Sequence, residues 1–248
     1  MMKQKIYFVA LLCATLFGFA SCLSDSDDDD KDNKLLFSAY YTITGTYPNY
    51  KLIADNDMIV YPTIASVNKL TDSKGFGEHK RIQLYAYYTP RDTTTENGVT
   101  VIRNAELNDG AYLVEQKAVT LAEATEAGIL KEDSIFNTKS NNGWLANGYV
   151  TSLFTAEFSI ANGKAVEPDA NLCATSIGDN AVTLTMLYNR HTPTAPISPY
   201  DDGVFAYSFD ITGLEIPGND SITVTFETKG ADPSKIKVSR QDFYYHAQ

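Results

Sequence analysis

Phe37-Ser38-Ala39-Tyr40-Tyr41-Thr42-Ile43-Thr44 repeats its pattern every second residue. Phe37, Ala39, Tyr41 and Ile43 fall on one face of an extended strand, with Tyr40, Thr42 and Thr44 opposite. A helix would scatter the same residues around its circumference, so the reading is β. The period persists downstream. Tyr50 to Ala54 and Met58 to Tyr61 flank Asp55-Asn56-Asp57, a hairpin turn by composition. Ile82, Leu84, Ala86 and Tyr88 alternate with Gln83, Tyr85 and Tyr87. Arg91 to Gly98 reads as a polar loop, and Val99 to Arg103 as a short strand. Asn108-Asp109-Gly110 reads as a tight turn into Ala111 to Leu121. Five or six strands within about 85 residues suit a small barrel.

Leu121 to Leu130 is the one segment after residue 35 whose alanines and glutamates read as a helix, limited by Gly128. Asn137 to Gly143 is polar and rich in breakers, so a boundary is placed near residue 130. Beyond it the β period returns. Tyr149 to Ile160 ends at the turn pair Asn162-Gly163, and Val182, Leu184, Met186 and Tyr188 alternate with Thr183, Thr185 and Leu187. His191 to Asp202 holds three prolines and reads as a long loop. Val204 to Ile211 and Ser221 to Thr228 resume the pattern, Ile236 to Val238 suggests an edge strand, and Tyr244-Tyr245-His246 forms a tail. The expected fold is all-β: an OB-like barrel over residues 35–130, then an antiparallel β-sandwich over 131–248.

The N-terminus carries the functional information. Lys3 and Lys5 precede fifteen uncharged residues, Ile6 to Ala20. At ~1.5 Å per helical residue that run falls short of a ~30 Å hydrocarbon core. It is the pattern of a signal peptide, spanning residues 1–21. Phe19-Ala20-Ser21-Cys22 then resembles a lipobox, with small residues before a cysteine whose thiol accepts a diacylglyceryl group. Two acyl chains make a stable anchor, so Cys22 predicts membrane attachment without a spanning helix. Ser24 to Asp32 contains six aspartates and one lysine, a solvated tether closing at residue 34. It is not an EF-hand loop, which wants glycine at its sixth position and glutamate at its twelfth; Asp30 and Leu36 stand there.

Past the signal lysines and the tether, 17 basic side chains face 25 acidic ones, which argues against nucleic acid or an anionic surface as partner. Once Cys13 leaves with the signal and Cys22 takes the lipid, Cys173 is the last cysteine, read as a small buried hydrophobe in Asn171-Leu172-Cys173-Ala174-Thr175. The histidines, His79, His191 and His246, lie far apart in sequence, and no catalytic, phosphate-cradling or metal motif occurs. The reading is therefore non-enzymatic, with no metal and no cofactor. Trp144, in Gly143-Trp144-Leu145, is the candidate ring for stacking on a sugar, against the alternative of core packing.

Taken together the chain resembles the NigD-like lipoproteins. The resemblance rests on Cys22-Leu23-Ser24-Asp25-Ser26-Asp27-Asp28-Asp29-Asp30, the hairpin from Leu52 to Pro62, Val182 to Arg190, and Tyr207-Ser208-Phe209-Asp210-Ile211. At the hairpin this chain has Asn56-Asp57 where a glycine turn is commoner. The resemblance implies an OB-type barrel joined to a β-sandwich, with an immunity role suggested by association with a bacteriocin operon and no active site to carry over. The acidic run resembles an export signal to the outer face of the outer membrane. Three functions compete: a surface interaction or immunity-type module with a protein partner, a glycan-binding lipoprotein using exposed rings, and a hydrolase assembled by convergent geometry. The first is favoured, because the chain lacks features the other two need.

Overall fold

The computed structural model describes residues 34–74, 76–129, 140–158, 160–161, 164–165, 169–189, 201–227 and 232–244. The signal segment, Cys22, the acidic run, the Asn162-Gly163 turn, most of the proline loop, His191 and His246 lie outside them. The first part of the chain is built from β1 (Leu35–Thr46), β2 (Asn49–Ala54), β3 (Ile59–Pro62), α1 (Ile64–Lys74), β4 (Arg81–Tyr88), β5 (Thr93–Glu96) and β6 (Val99–Tyr112). The hairpin of β2 and β3 turns at Asp55-Asn56-Asp57 as expected. Strands β1, β2 and β3 form a meander, β4 returns to β1, and β6 closes the ring by pairing antiparallel with β4 and parallel with β3. With a helix between its third and fourth strands, this closed five-stranded ring is an OB-type barrel. Its core holds Tyr41, Ile43, Leu52, Val60, Ile82, Leu84 and Ala86, the inward face given by the two-residue period.

Three local readings change. Ile64–Lys74 is a helix that the strand-dominated reading passed over. The Thr63 hydroxyl accepts the Ser66 amide at its start, and Val67 and Leu70, three residues apart, point inward. Arg91 to Gly98 is not a loop: a short 3-10 turn at Pro90–Asp92 leads into β5, and Asn97-Gly98, both at positive φ, turns β5 back into β6. Asn108-Asp109-Gly110 is not a turn, because β6 runs through it with a bulge against β4. Gly110 sits there because the strands approach closely: an added Cβ would lie 2.6 Å from the Gln83 carbonyl oxygen and 2.8 Å from the Leu84 Cβ.

After the barrel come β7 (Val114–Lys117), β8 (Val119–Thr120), α2 (Leu121–Glu126), β9 (Ser140–Ala146), β10 (Tyr149–Phe158), β11 (Ile160–Ala161), β12 (Lys164–Ala165), β13 (Asp169–Gly178), β14 (Ala181–Asn189), β15 (Asp201–Asp210), β16 (Ile222–Glu227), β17 (Ser234–Val238) and α3 (Arg240–Phe243). They form two sheets, β7-β15-β10-β9 and β17-β16-β14-β13-β8, besides the small β11–β12 ladder. Phe154, Tyr207 and Phe209 from one sheet meet Leu172, Leu184 and Val224 from the other in a shared core, the arrangement of a sandwich. The sandwich is not purely antiparallel. Strands β7 and β15, β8 and β13, and β14 and β16 pair in parallel. Strands β7 and β8 reach across from the barrel's last strand and join different sheets, ahead of the boundary expected near residue 130. Lys34–Gln248 accordingly makes one compact unit.

The expected helix after Leu121 is present, capped by Thr120: its hydroxyl accepts the Glu123 amide, and the Glu123 carboxylate accepts the Thr120 amide at 2.7 Å. Donation from the Thr120 amide and then its hydroxyl to the carboxylate holds Glu123 below the usual range. The edge strand expected at Ile236 to Val238 is β17. Phe243 is fully buried, and the Tyr244 hydroxyl accepts the Ile216 amide at 2.9 Å, so the start of the tail is docked.

Candidate functional site

One polar cluster dominates the junction of barrel and sandwich, and its centre is Arg81. Arg81 opens β4 opposite Thr42 of β1, on the outward face of the barrel wall. Facing it, a single row of side chains crosses the four strands of the nearer sheet. The register sets Trp144 of β9 beside Thr151 of β10, Thr151 beside Ser208 of β15, and Ser208 beside Glu115 of β7. Every member of the row bonds to the barrel.

The Arg81 side chain has no solvent exposure, and all five of its N–H donors are used. Both terminal nitrogens donate to Asp55, Nη1 to Oδ1 and Nη2 to Oδ2, each at 2.6 Å. Nη1 also donates to Thr42 at 2.8 Å, Nη2 to Thr151 at 2.7 Å, and Nε to Ser208 at 3.0 Å. Its own amide donates to the Glu115 carboxylate at 2.8 Å, as the Lys80 amide does at 2.7 Å. The guanidinium lies 5.2 Å from the ring centroid of Tyr149. Planar fork and carboxylate meet in the bidentate geometry that lysine could not reproduce.

Asp55, in the turn after β2, is the second hub. Besides Arg81 it accepts the Trp144 indole N–H at 2.6 Å and the Asn147 amide at 3.4 Å. Asn147 reaches it from the Asn147-Gly148 turn, where both residues take positive φ, and also donates to the Ile53 carbonyl at 3.3 Å. The Trp144 ring packs against Tyr40 of β1, centroids 4.9 Å apart. Burial, followed by the Asp55 charge, raises the Tyr40 hydroxyl above its ordinary range. Burial, with Asp210 and Glu115 adding to it, pushes Tyr149 up to about 12 although Arg81 pulls the other way. These phenols stay protonated at neutral pH.

At its centre the cluster is closed. Every Arg81 donor is engaged, and each Asp55 oxygen already receives two donors. Such an arrangement fixes the geometry of the Arg81–Asp55 pair and of the strands that meet there.

Of the residues singled out by sequence, Trp144 belongs to this cluster: it is half-buried and its N–H is engaged with Asp55. Cys173 is fully buried on β13 beside β8, its thiol pushed up by burial and then by the Glu123 charge. His79 stacks on Tyr112 at 4.3 Å and stands 3.9 Å from Glu115. Among the described residues no group of three or more His, Cys, Asp or Glu side chains is placed to hold a metal. Sequence reasoning missed Arg81, Asp55, Thr151 and Ser208. The sequence showed Arg81 only as part of a charged run at the start of a strand, and Ser208 lies 127 positions from it.

No protein-family model and no curated protein matches this sequence. Solved structures do share its fold. A candidate toxin-related protein from Parabacteroides distasonis superposes with a TM-score of 0.53 at 16% identity, covering 82% of this chain and 93% of its own. A candidate lipoprotein from Bacteroides fragilis does so at 0.51 and 10% identity, covering 86% of this chain and 100% of its own. A NigD-like immunity protein from Bacteroides caccae reaches 0.48 at 14% identity over 84% and 93%, a likeness too loose to carry an argument. The chain is thus an all-β protein in which an OB-type barrel is locked to a β-sandwich. It shares this fold over most of its length with the Parabacteroides and Bacteroides fragilis proteins.

Proposed function

We propose that this chain is an exported NigD-like lipoprotein, held in the outer membrane by a lipid on Cys22, displayed at the cell surface, and working as a non-enzymatic binding module of the immunity type. The observation that carries the reading is the placement of Cys22, after Phe19-Ala20-Ser21 and directly before the acidic run. A lipidated cysteine followed by a run of like charges describes an anchor and a tether. Two further observations support the reading. A fold neighbour from Bacteroides fragilis is described as a candidate lipoprotein. The Arg81–Asp55 pair at the junction is satisfied within the protein, as suits a rigid binding frame.

Replacement of Cys22 tests the anchor. Cys22→Ala is expected to move the protein from the membrane pellet to the soluble fraction when envelopes are separated by ultracentrifugation. Retention in the pellet after a high-salt wash contradicts lipid attachment at this residue.

A further inference from the structure

The barrel wall made by β1 and β4 is only partly covered. Its outward face is fixed by register: Leu36 lies opposite Tyr87, Ser38 opposite Tyr85, and Tyr40 opposite Gln83. Residues directly opposite or two apart on one face are in reach of each other, so these six form a continuous patch. At one end the patch meets Trp144, which packs on Tyr40. At the other it opens to solvent, with Leu36 53% and Tyr85 44% exposed. Strand β6 supplies the flank, where Glu106 pairs with Tyr87 and exposed Asn108 follows two residues on.

The usual ligand face of an OB barrel involves its second and third strands. In this chain part of that face is occupied. Ile53, one of the β2 residues that point away from the barrel core, is buried, and its carbonyl accepts the Asn147 amide from the sandwich. The open aromatic face is therefore displaced to β1 and β4.

We propose that this face binds a neutral saccharide chain, a proposal that rests on the surface display read above and goes beyond the immunity-type role by giving the module a glycan ligand. A pyranose presents an apolar C–H face ringed by hydroxyls. The patch answers with tyrosine rings interleaved with Ser38, Gln83 and Asn108, whose side chains donate to and accept from hydroxyls, while Glu106 on the flank is held by Lys34. Tyr85 and Tyr87 stand about 6.8 Å apart along the strand, so both rings can lie along one extended ligand. A protein hot spot asks for a continuous apolar centre, which the alternating polar groups interrupt. Charge disfavours an acidic glycan: Lys34 at the rim is already paired with Glu106 at 2.8 Å, and past the tether 25 acidic side chains face 17 basic ones. The platform is also preorganised, since Trp144 behind Tyr40 is tied to Asp55.

The test uses the whole protein solubilised in mild detergent. Cellohexaose, laminarihexaose, mannohexaose and maltohexaose are titrated in turn by calorimetry, with polygalacturonate as the anionic control. At least one neutral oligosaccharide is expected to bind, and Tyr85→Ala is expected to weaken it by about tenfold or more. Leu36→Ser should weaken it less, and Val204→Ser, 77% exposed on the sandwich, should leave it unchanged. Absence of binding to every neutral oligosaccharide overturns the proposal, as does affinity indifferent to Tyr85→Ala. Tyr85-dependent binding to phosphatidylcholine vesicles instead would assign the face to a lipid surface. Tyr85-dependent self-association in sedimentation would assign it to a second copy, and either result overturns the saccharide reading. Because the assay needs no membrane, its failure leaves the Cys22 anchor to be judged by fractionation.

Discussion

Arg81→Met is expected to lower the stability of the folded unit by about 3–5 kcal/mol, the range for removing one partner of a buried ion pair. Methionine keeps much of the volume of the stem and supplies none of the five donors. Asp55, with its side chain only 11% exposed, is then left with a charge facing no cation, and Thr42, Thr151 and Ser208 lose their shared donor. Urea unfolding followed by circular dichroism measures the loss. The same variant should shift the emission of Trp144, the protein's single tryptophan, because the Asp55 carboxylate that holds its N–H is freed to move. Asp55→Asn in the Arg81→Met background should restore part of the stability, since it removes the stranded charge. A loss under about 1 kcal/mol would show that the cluster contributes no more than an exposed pair.

Phe209→Ala should cost a similar amount by a different route. Phe209 is fully buried in the sandwich core, stacked 6.0 Å from Tyr207 and paired across the ladder with Val150. Truncation removes a large apolar surface and leaves a cavity that sheets on both sides cannot readily close, so about 3–5 kcal/mol is expected. Phe209→Leu, which keeps most of the volume, should cost distinctly less. The two sites also separate by spectroscopy. Phe209 points into the sandwich core while its neighbour Ser208 bonds to Arg81 on the opposite face of β15, so Phe209→Ala should leave the folded-state Trp144 emission unchanged. A shifted emission would mean that the sandwich core and the junction respond as one.

Much of the fold was legible because alternation is a local signal. Tyr41 and Ile43, Ile82 and Leu84, and Val182 and Leu184 are buried on the faces that the two-residue period assigns. What failed locally was decided by partners far along the chain. Asn108-Asp109-Gly110 has turn chemistry, yet the β4 backbone needs a residue without a Cβ at Gly110, and the strand continues. Helix α1 shows only two buried apolar side chains, Val67 and Leu70, and the Thr63 cap was the clearer sign of it. Asn97-Gly98 and Asn147-Gly148 were readable as hairpin turns and were missed. Parallel pairings such as β14 with β16 carry no local signature, because their partners are brought together by crossovers.

The junction was less legible than the fold. Arg81, Asp55, Thr151 and Ser208 are separated by as many as 153 positions, and each looks ordinary in its own segment. Trp144 was noticed for its ring, whereas its indole N–H is what ties it to the cluster. In sequence the tyrosines of the β4 face are an alternating strand row, and the register decides which neighbours they share.

The central claim is that the folded unit stands on the outside of the cell, tethered by lipid. Its most direct test is to treat intact cells with a membrane-impermeant amine label, beside a periplasmic protein as control, and then recover this chain. The account predicts that the protein is labelled while the control is spared, and that brief protease treatment of intact cells removes it. Labelling only after the outer membrane is permeabilised would place it facing the periplasm, contradicting surface display and the export reading of the acidic run.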